Sequence, residues 1–155
     1  MTPLVHATDD ALHCSIEIAA PPERVFAALT DPAELEAWWG SPQTYSGKWT
    51  LDMRVGGAWQ SQVRGADGHD ARVHGEILAL DPPRLLSYTW QASWDGFART
   101  TVRYELARIA SGTRLTVTHN GFSGRPASQR SHYEGWSKVL SWLAGHVEGR
   151  RAASA

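Results

Sequence analysis

The sequence predicts a single α+β domain in which an antiparallel sheet curls around one long C-terminal helix. Three observations predict it. Tyr133, Trp136, Leu140, Leu143 and Val147 recur three and four residues apart, and on a helix they form one apolar stripe. Between Ser46 and Asn120, apolar and polar residues alternate in short runs separated by Gly, Pro and Asp turn signals. Near the start, two short helical patterns follow a first strand, each opened by proline at Pro22 and Pro32. They are too short to cover a wide sheet, which leaves the terminal helix as the cover.

The first strand is Leu12 to Ala19, where Cys14, Ile16 and Ile18 alternate with His13, Ser15 and Glu17. Pro21-Pro22 ends it. Val25, Phe26 and Leu29 then mark a helix, and Asp31 caps a second that carries Leu35, Trp38 and Trp39 to Gly40. Thr50 to Arg54 is expected as the second strand, with Gly56-Gly57 as a turn or bulge. Trp59, Ser61 and Val63 line one face of the third, and Asp67-Gly68 suits a hairpin tip. Val73, Gly75, Ile77 and Ala79 define the fourth; Leu86, Tyr88 and Trp90 the fifth; Thr100, Val102, Tyr104 and Leu106 the sixth; Leu115, Val117 and His119 the seventh. The long helix then runs from Pro126 to about Glu148, with His132 and Val139 widening its apolar stripe. The domain is expected over residues 11–149, with frayed tails at 1–10 and 150–155.

Composition narrows the function. Of 155 residues, 42% are hydrophobic and 20% charged, ordinary for a globular protein, and the net charge of −1 gives no reason to expect nucleic acid. No apolar run approaches a membrane span, and the stretch Met1 to Asp10 lacks the apolar block of a signal peptide, so a cytoplasmic location is expected. The lone Cys14 excludes an internal disulfide; on the apolar phase of its strand it reads as a buried, inert thiol. Eight tryptophans are the outlier. They fit either a core of large rings or an aromatic-walled cavity for a small ligand.

An ordered set of motifs carries a resemblance over about Leu12 to Glu148. The set is Ile18-Ala19 with Pro21-Pro22-Glu23-Arg24-Val25-Phe26, then Trp38-Trp39-Gly40, Asp52-Met53-Arg54-Val55-Gly56-Gly57, Gly75 with Pro82-Pro83, and Trp90. Gly112-Thr113, His119-Asn120-Gly121-Phe122, and His132 with Gly135-Trp136 complete it. Together they resemble the helix-grip fold of the START and birch-pollen-allergen superfamily, and within it the subfamily related to the C-terminal domain of the activator of the Hsp90 ATPase. The resemblance implies a hydrophobic cavity between sheet and helix. Relatives bind lipids, plant metabolites or polyketides, and some cyclise or aromatise them. Others stimulate a chaperone ATPase, a stress-response role. This sequence shows no counterpart of the additional N-terminal domain that such activators carry, so a chaperone partner is the minor expectation. Relatives are often dimers, and an outer sheet face or edge strand is available for a homodimer.

The expected function is binding of a small hydrophobic molecule, aromatic or lipid-like, between the sheet and the terminal helix. The alternative is a cyclase-like or dehydratase-like enzyme in the same pocket, and the residues leave open whether any reaction is catalysed. His119 and His132 are the catalytic candidates, since strand end and helix start can bring them together near pH 7 chemistry. The ligand-binding set by strand and helix phase is Trp39, Trp59, Val73, Ile77, Tyr88, Trp90, Val102, Tyr104, Val117, His119, His132, Tyr133, Trp136 and Leu140. Tyr104, Tyr133 and the two histidines would orient the ligand, and Trp59, Trp90 and Trp136 would wall it. No metal or cofactor is expected: there is no His-Glu-x-x-His, no phosphate-binding loop and no Gly-x-Ser-x-Gly. Asp52 and Arg54 read as a surface ion pair. Arg99 and Arg103 mark an outward face that can pair with Glu76 or meet a protein.

Overall fold

The computed structural model describes residues 2–149; Met1 and the expected tail at 150–155 lie outside them. In chain order the elements are β1 (Leu4–Ala7), β2 (Ala11–Ile18), α1 (Pro22–Thr30), α2 (Pro32–Trp38), β3 (Tyr45–Leu51), β4 (Ala58–Gly65), β5 (Asp70–Asp81), β6 (Leu85–Ala92), β7 (Thr100–Ile109), β8 (Gly112–Asn120) and α3 (Pro126–Val147). A single 3-10 turn, Ser93–Asp95, separates β6 from β7. The strands form one open antiparallel sheet in the order β1-β2-β8-β7-β6-β5-β4-β3. The sheet curves around α3, as the stripe and the alternation predict.

Local chemistry sets most boundaries. Pro22 and Pro32 occupy the first turns of α1 and α2, where a missing N–H costs nothing. The Asp31 carboxylate accepts a 2.9 Å bond from the Ala33 N–H and caps α2. In β7, Thr100, Val102, Tyr104 and Leu106 are buried while Thr101, Arg103 and Glu105 face outward, the alternation expected of a half-buried strand. On α3, His132, Trp136, Val139, Leu140, Trp142, Leu143 and Ala144 are buried.

Two differences from the expected fold have physical causes. Leu4–Ala7 is a strand, not a frayed tail, and it makes the sheet eight-stranded. Its residues are exposed or half-buried, Leu4 at 69%, so no apolar pattern announces it. Antiparallel pairing with β2 and side chains of α3 hold it instead. The Tyr133 hydroxyl donates to Val5 O at 3.1 Å, and Gln129 Nε2 donates to Thr8 O at 2.6 Å and Ala11 O at 3.1 Å. The strand expected at Thr50 to Arg54 starts and ends earlier, at Tyr45–Leu51. Asp52 to Gly57 turns, with Arg54 N–H donating to Asp52 O and Gly57 N–H to Arg54 O, both at 2.8 Å. The Asp52–Arg54 ion pair does form on this exposed turn, at 2.8 Å. Arg103 pairs with Glu105 at 3.5 Å rather than with Glu76, whose backbone N–H donates to Thr89 Oγ1 at 2.8 Å.

Candidate functional site

Aromatic rings fill the centre of the grip. Trp39 lies 5.2 Å from Trp38, 5.0 Å from Trp49, 6.1 Å from Trp90 and 6.0 Å from Trp136, centroid to centroid. Trp59 continues the cluster towards Tyr88 at 4.7 Å, and the Tyr88 and Tyr104 hydroxyls share a 2.7 Å hydrogen bond. Offset and edge-on ring pairs of this kind add to what burial alone contributes. The tyrosines are wholly buried, which pushes both phenols above their ordinary range and keeps them neutral. Burial likewise pushes the Cys14 thiol up to about 12, so it is inert.

The space left over lies at one mouth of the grip. A cleft of about 800 Å³ runs between the inner faces of β3, β4 and β5 and the first half of α3. Trp39, Trp49, Trp90, Trp94 and Trp136 wall it, with Val63, Val73 and Val139 between them. Its rim is polar: Gln43, Thr44, Asp67, His69, Asp70, Glu134 and Lys138. An apolar body with a few polar groups at the edge is the usual make-up of a small-molecule site.

His119 and His132 meet, as strand end and helix start suggest, with ring centroids 5.0 Å apart. Their ring nitrogens are already engaged. His132 Nδ1–H donates to Ser128 O at 2.8 Å, and its Nε2 accepts the Trp90 indole N–H at 3.2 Å. His119 Nδ1 accepts the Trp136 indole N–H at 3.0 Å. Its Nε2–H donates to Thr100 Oγ1 at 2.7 Å, and that hydroxyl in turn donates to Trp90 O at 2.8 Å. Each imidazole is thus the acceptor for one indole, which requires it neutral. Burial lowers the pKa of both, that of His119 well below 6.5. Beside His132, burial works to raise the Asp95 carboxyl. Hydrogen bonds from Arg125 and from Ser128 at 2.9 Å outweigh it and hold the group below its ordinary value. Neither histidine has a free lone pair to take a substrate proton unless a tryptophan lets go.

The expected ligand-binding residues divide by depth. Trp39, Val73, Trp90, His132 and Trp136 line the cleft. Trp59, Ile77, Tyr88, Val102, Tyr104, Val117, His119 and Leu140 face inward as expected but lie in the packed core behind it, each 3% exposed or less. Tyr133 does neither: it is 39% exposed and reaches β1. Three aromatic residues at the cleft were not assigned to it from the sequence. Tyr45 and Trp49 had a signal, since Tyr45, Gly47, Trp49 and Leu51 alternate with Ser46, Lys48 and Thr50. Trp94, half exposed on the 3-10 turn, had none. Among the described residues no group of three His, Cys, Asp or Glu side chains is placed to hold a metal ion, and no helix is long and apolar enough to cross a membrane.

An open sheet wrapped on a terminal helix, with an aromatic cleft at its mouth, defines the class: a helix-grip domain. The chain belongs to the family described as activator of Hsp90 ATPase homolog 1-like protein, whose profile matches residues 19–148. Solved structures agree. Protein CV1439 from Chromobacterium violaceum is 28% identical, with 90% of this chain and 98% of that one covered and a TM-score of 0.78. A protein from Rhodobacter sphaeroides is 20% identical, with 96% and 99% covered and a TM-score of 0.85. An AHSA1-like protein from Aeromonas hydrophila is 20% identical, with 90% and 92% covered and a TM-score of 0.74. The last two similarities speak to the fold alone. No curated protein matches the sequence.

Proposed function

We propose that the protein binds a small, largely hydrophobic molecule, flat and aromatic in character, in the cleft between β3–β5 and α3. The observation that carries this reading is the wall of five indoles around about 800 Å³ of space. A flat molecule gains most from such walls, through both apolar burial and ring stacking. A two-ring ligand burying roughly 300 Å² of apolar surface gains about 7 kcal/mol, before the costs of ordering are subtracted. Net affinity then falls in the micromolar to millimolar range, so assays must reach high ligand concentrations. The engaged ring nitrogens of His119 and His132 favour binding over histidine-based catalysis.

Native mass spectrometry of the purified protein, then thermal shift with sterols, fatty acids, flavonoids and polycyclic aromatics, tests the reading. A bound mass, or a shift that saturates with one chemical class, supports it. A ligand at ten times its Kd adds about 1.4 kcal/mol of apparent stability. That corresponds to a rise of roughly 3–6 °C for a domain of this size. No bound mass and no shift up to millimolar ligand would sink it.

Gly135 supplies a sharper check. It lines the cleft from α3, and a Cβ added there meets nothing within 4 Å. Gly135→Ala removes a helix-interior glycine and is expected to raise stability by about 1 kcal/mol, seen as a higher urea midpoint. Gly135→Leu projects a larger apolar group into the cleft. Its expected result is a folded protein whose ligand-induced thermal shift is lost.

A further inference from the structure

The inner face of the β3–β4 hairpin carries a polar feature that packing does not explain. The strands pair Trp49 with Ser61 and Gly47 with Val63. Trp49 is 7% exposed, and its indole Nε1–H is a buried donor with no hydrogen-bond partner among the described residues. The other tryptophans of the central cluster do not share this fate. Trp38, Trp59, Trp90 and Trp136 donate to Ala28 O, Thr89 O, His132 and His119, and Trp39 donates to the Tyr45 hydroxyl. Leaving a buried donor unpaired costs about 1–3 kcal/mol, so an unexplained case in a cleft wall points to a partner.

The neighbouring residue shows where that partner sits. Gly47 has no side chain, and a Cβ built on it would lie 3.3 Å from Trp49 Nε1 and 2.9 Å from Ser61 Oγ. The bare Cα therefore lets a fixed N–H donor and a hydroxyl that can donate or accept close over Gly47, and these two polar atoms form a niche that a side chain there would push apart. Gly47, Trp49 and Ser61 all line the cleft.

We infer that this niche is the polar end of the ligand site and takes an uncharged oxygen, a phenol hydroxyl or a ketone carbonyl, on an otherwise apolar ring system. The inference rests on the binding reading above and names its ligand class. Charge excludes a carboxylate. On the cleft rim Asp70 pairs with Arg64 and Asp67 with His69, which leaves Glu134 beside Lys138 with no surplus of positive charge, and the niche itself holds no cation to offset a buried anion. Trp49 Nε1 is closed to solvent in the unliganded chain, so entry of the oxygen requires side-chain adjustment, of the kind common at binding surfaces.

Three probes of one shape test this: 2-naphthol, 2-methylnaphthalene and 2-naphthoate, each titrated while the indole N–H resonances are followed by NMR. The expected result is a five- to tenfold preference for 2-naphthol over 2-methylnaphthalene, the size of one hydrogen bond. It should come with a downfield displacement of the Trp49 indole proton, the mark of a new hydrogen bond, in the 2-naphthol complex relative to the 2-methylnaphthalene complex. Trp49→Phe keeps a ring and removes the donor; Gly47→Ala keeps the donor but pushes it and the Ser61 hydroxyl apart. Each should abolish the preference while 2-methylnaphthalene still binds. Equal affinity of the two neutral probes in the wild-type protein, a preference that survives both variants, or tightest binding of 2-naphthoate would overturn the niche while leaving the cleft intact. Failure of all three probes to bind while a member of the wider panel does bind would overturn the niche alone, and failure of the wider panel as well would overturn the cleft reading with it.

Discussion

Gly75→Ala is expected to destabilise the protein by about 3 kcal/mol or more, the upper range for overpacking. Gly75 sits opposite Trp59 on neighbouring strands, and the Trp59 side chain crosses over it to donate its indole N–H to Thr89 O on β6 at 3.0 Å. A Cβ on Gly75 would stand 1.9 Å from Thr89 O and 2.5 Å from Trp59 Nε1. The first of these is backbone and cannot rotate away. Pairing of β5 with β6 is interrupted here, between His74↔Gln91 and Ile77↔Tyr88. The Trp59 indole and the Thr89 hydroxyl supply the bonds to Thr89 O and Glu76 N that span the interruption. The substitution therefore disturbs both the sheet and the ring cluster behind the cleft. Urea denaturation checks it: the midpoint should drop sharply with the slope unchanged. Trp59→Phe in the Gly75→Ala background should recover only part of the loss, because the clash with Thr89 O remains, and the two changes should not add. An unchanged midpoint for Gly75→Ala would mean that Trp59 does not lie over β5 as described. The contrast with Gly135→Ala is the control, since the same chemical change at the helix glycine is expected to stabilise.

Gly75 also marks how far the sequence could be read. Alternation in β2, β7 and β8 gave both the strands and their buried faces correctly, because each strand has one wet side and one dry side. The α3 stripe was legible for the same reason, apart from Tyr133, whose ring covers β1 instead of the core. β1 was not legible, because its residues carry no inward apolar pattern, and what ties it down besides its pairing with β2 is side chains from α3, more than a hundred residues away in the chain. The lining of the cleft was only half legible. Phase along a strand says which face a ring is on; it does not say how deep the ring lies. Trp59 and Trp90 share the inner phase, yet Trp59 is sealed into the core and Trp90 borders the cleft. That difference arises where rings from α2, β3, β4, β6 and α3 converge, and no local pattern records the convergence. The histidine pair was foreseen as neighbours. Its chemistry was not, since the partners that engage it, Trp90, Thr100 and Trp136, come from three other turns of the chain.

That engaged pair gives the second large effect, a loss of stability in mild acid. In the folded chain His119 and His132 stay neutral below their ordinary value of 6.5, because burial disfavours the charge. Each is also the acceptor for an indole N–H, so a proton on that nitrogen would break the bond. Of the charged groups near them, Arg125 lowers both further, while Asp95 pulls only His132 back up. In the unfolded chain both take up protons near 6.5. Above that pH neither state binds a proton and the pair costs nothing. As pH falls below it, the unfolded chain binds protons that the folded chain refuses, and stability drops. Each histidine contributes a slope of up to about 1.4 kcal/mol per pH unit. The paired carboxylates Asp95 and Glu34 have the opposite history: their pKa values are lowered on folding from 3.8 and 4.5, so their stabilisation is lost only at lower pH. The interval from pH 6.5 to 5 therefore isolates the histidines. Unfolding free energies measured at half-unit steps there should fall steeply in the wild-type protein. His119→Asn, which offers Trp136 an acceptor that does not titrate, should be less stable at pH 8 but show a visibly shallower fall. His132→Gln should behave alike towards Trp90. A wild-type profile that is flat from pH 8 to 5, or variants whose slopes match it, would show that these imidazoles are not held neutral by the two tryptophans, and would reopen a proton-transfer role for the pair.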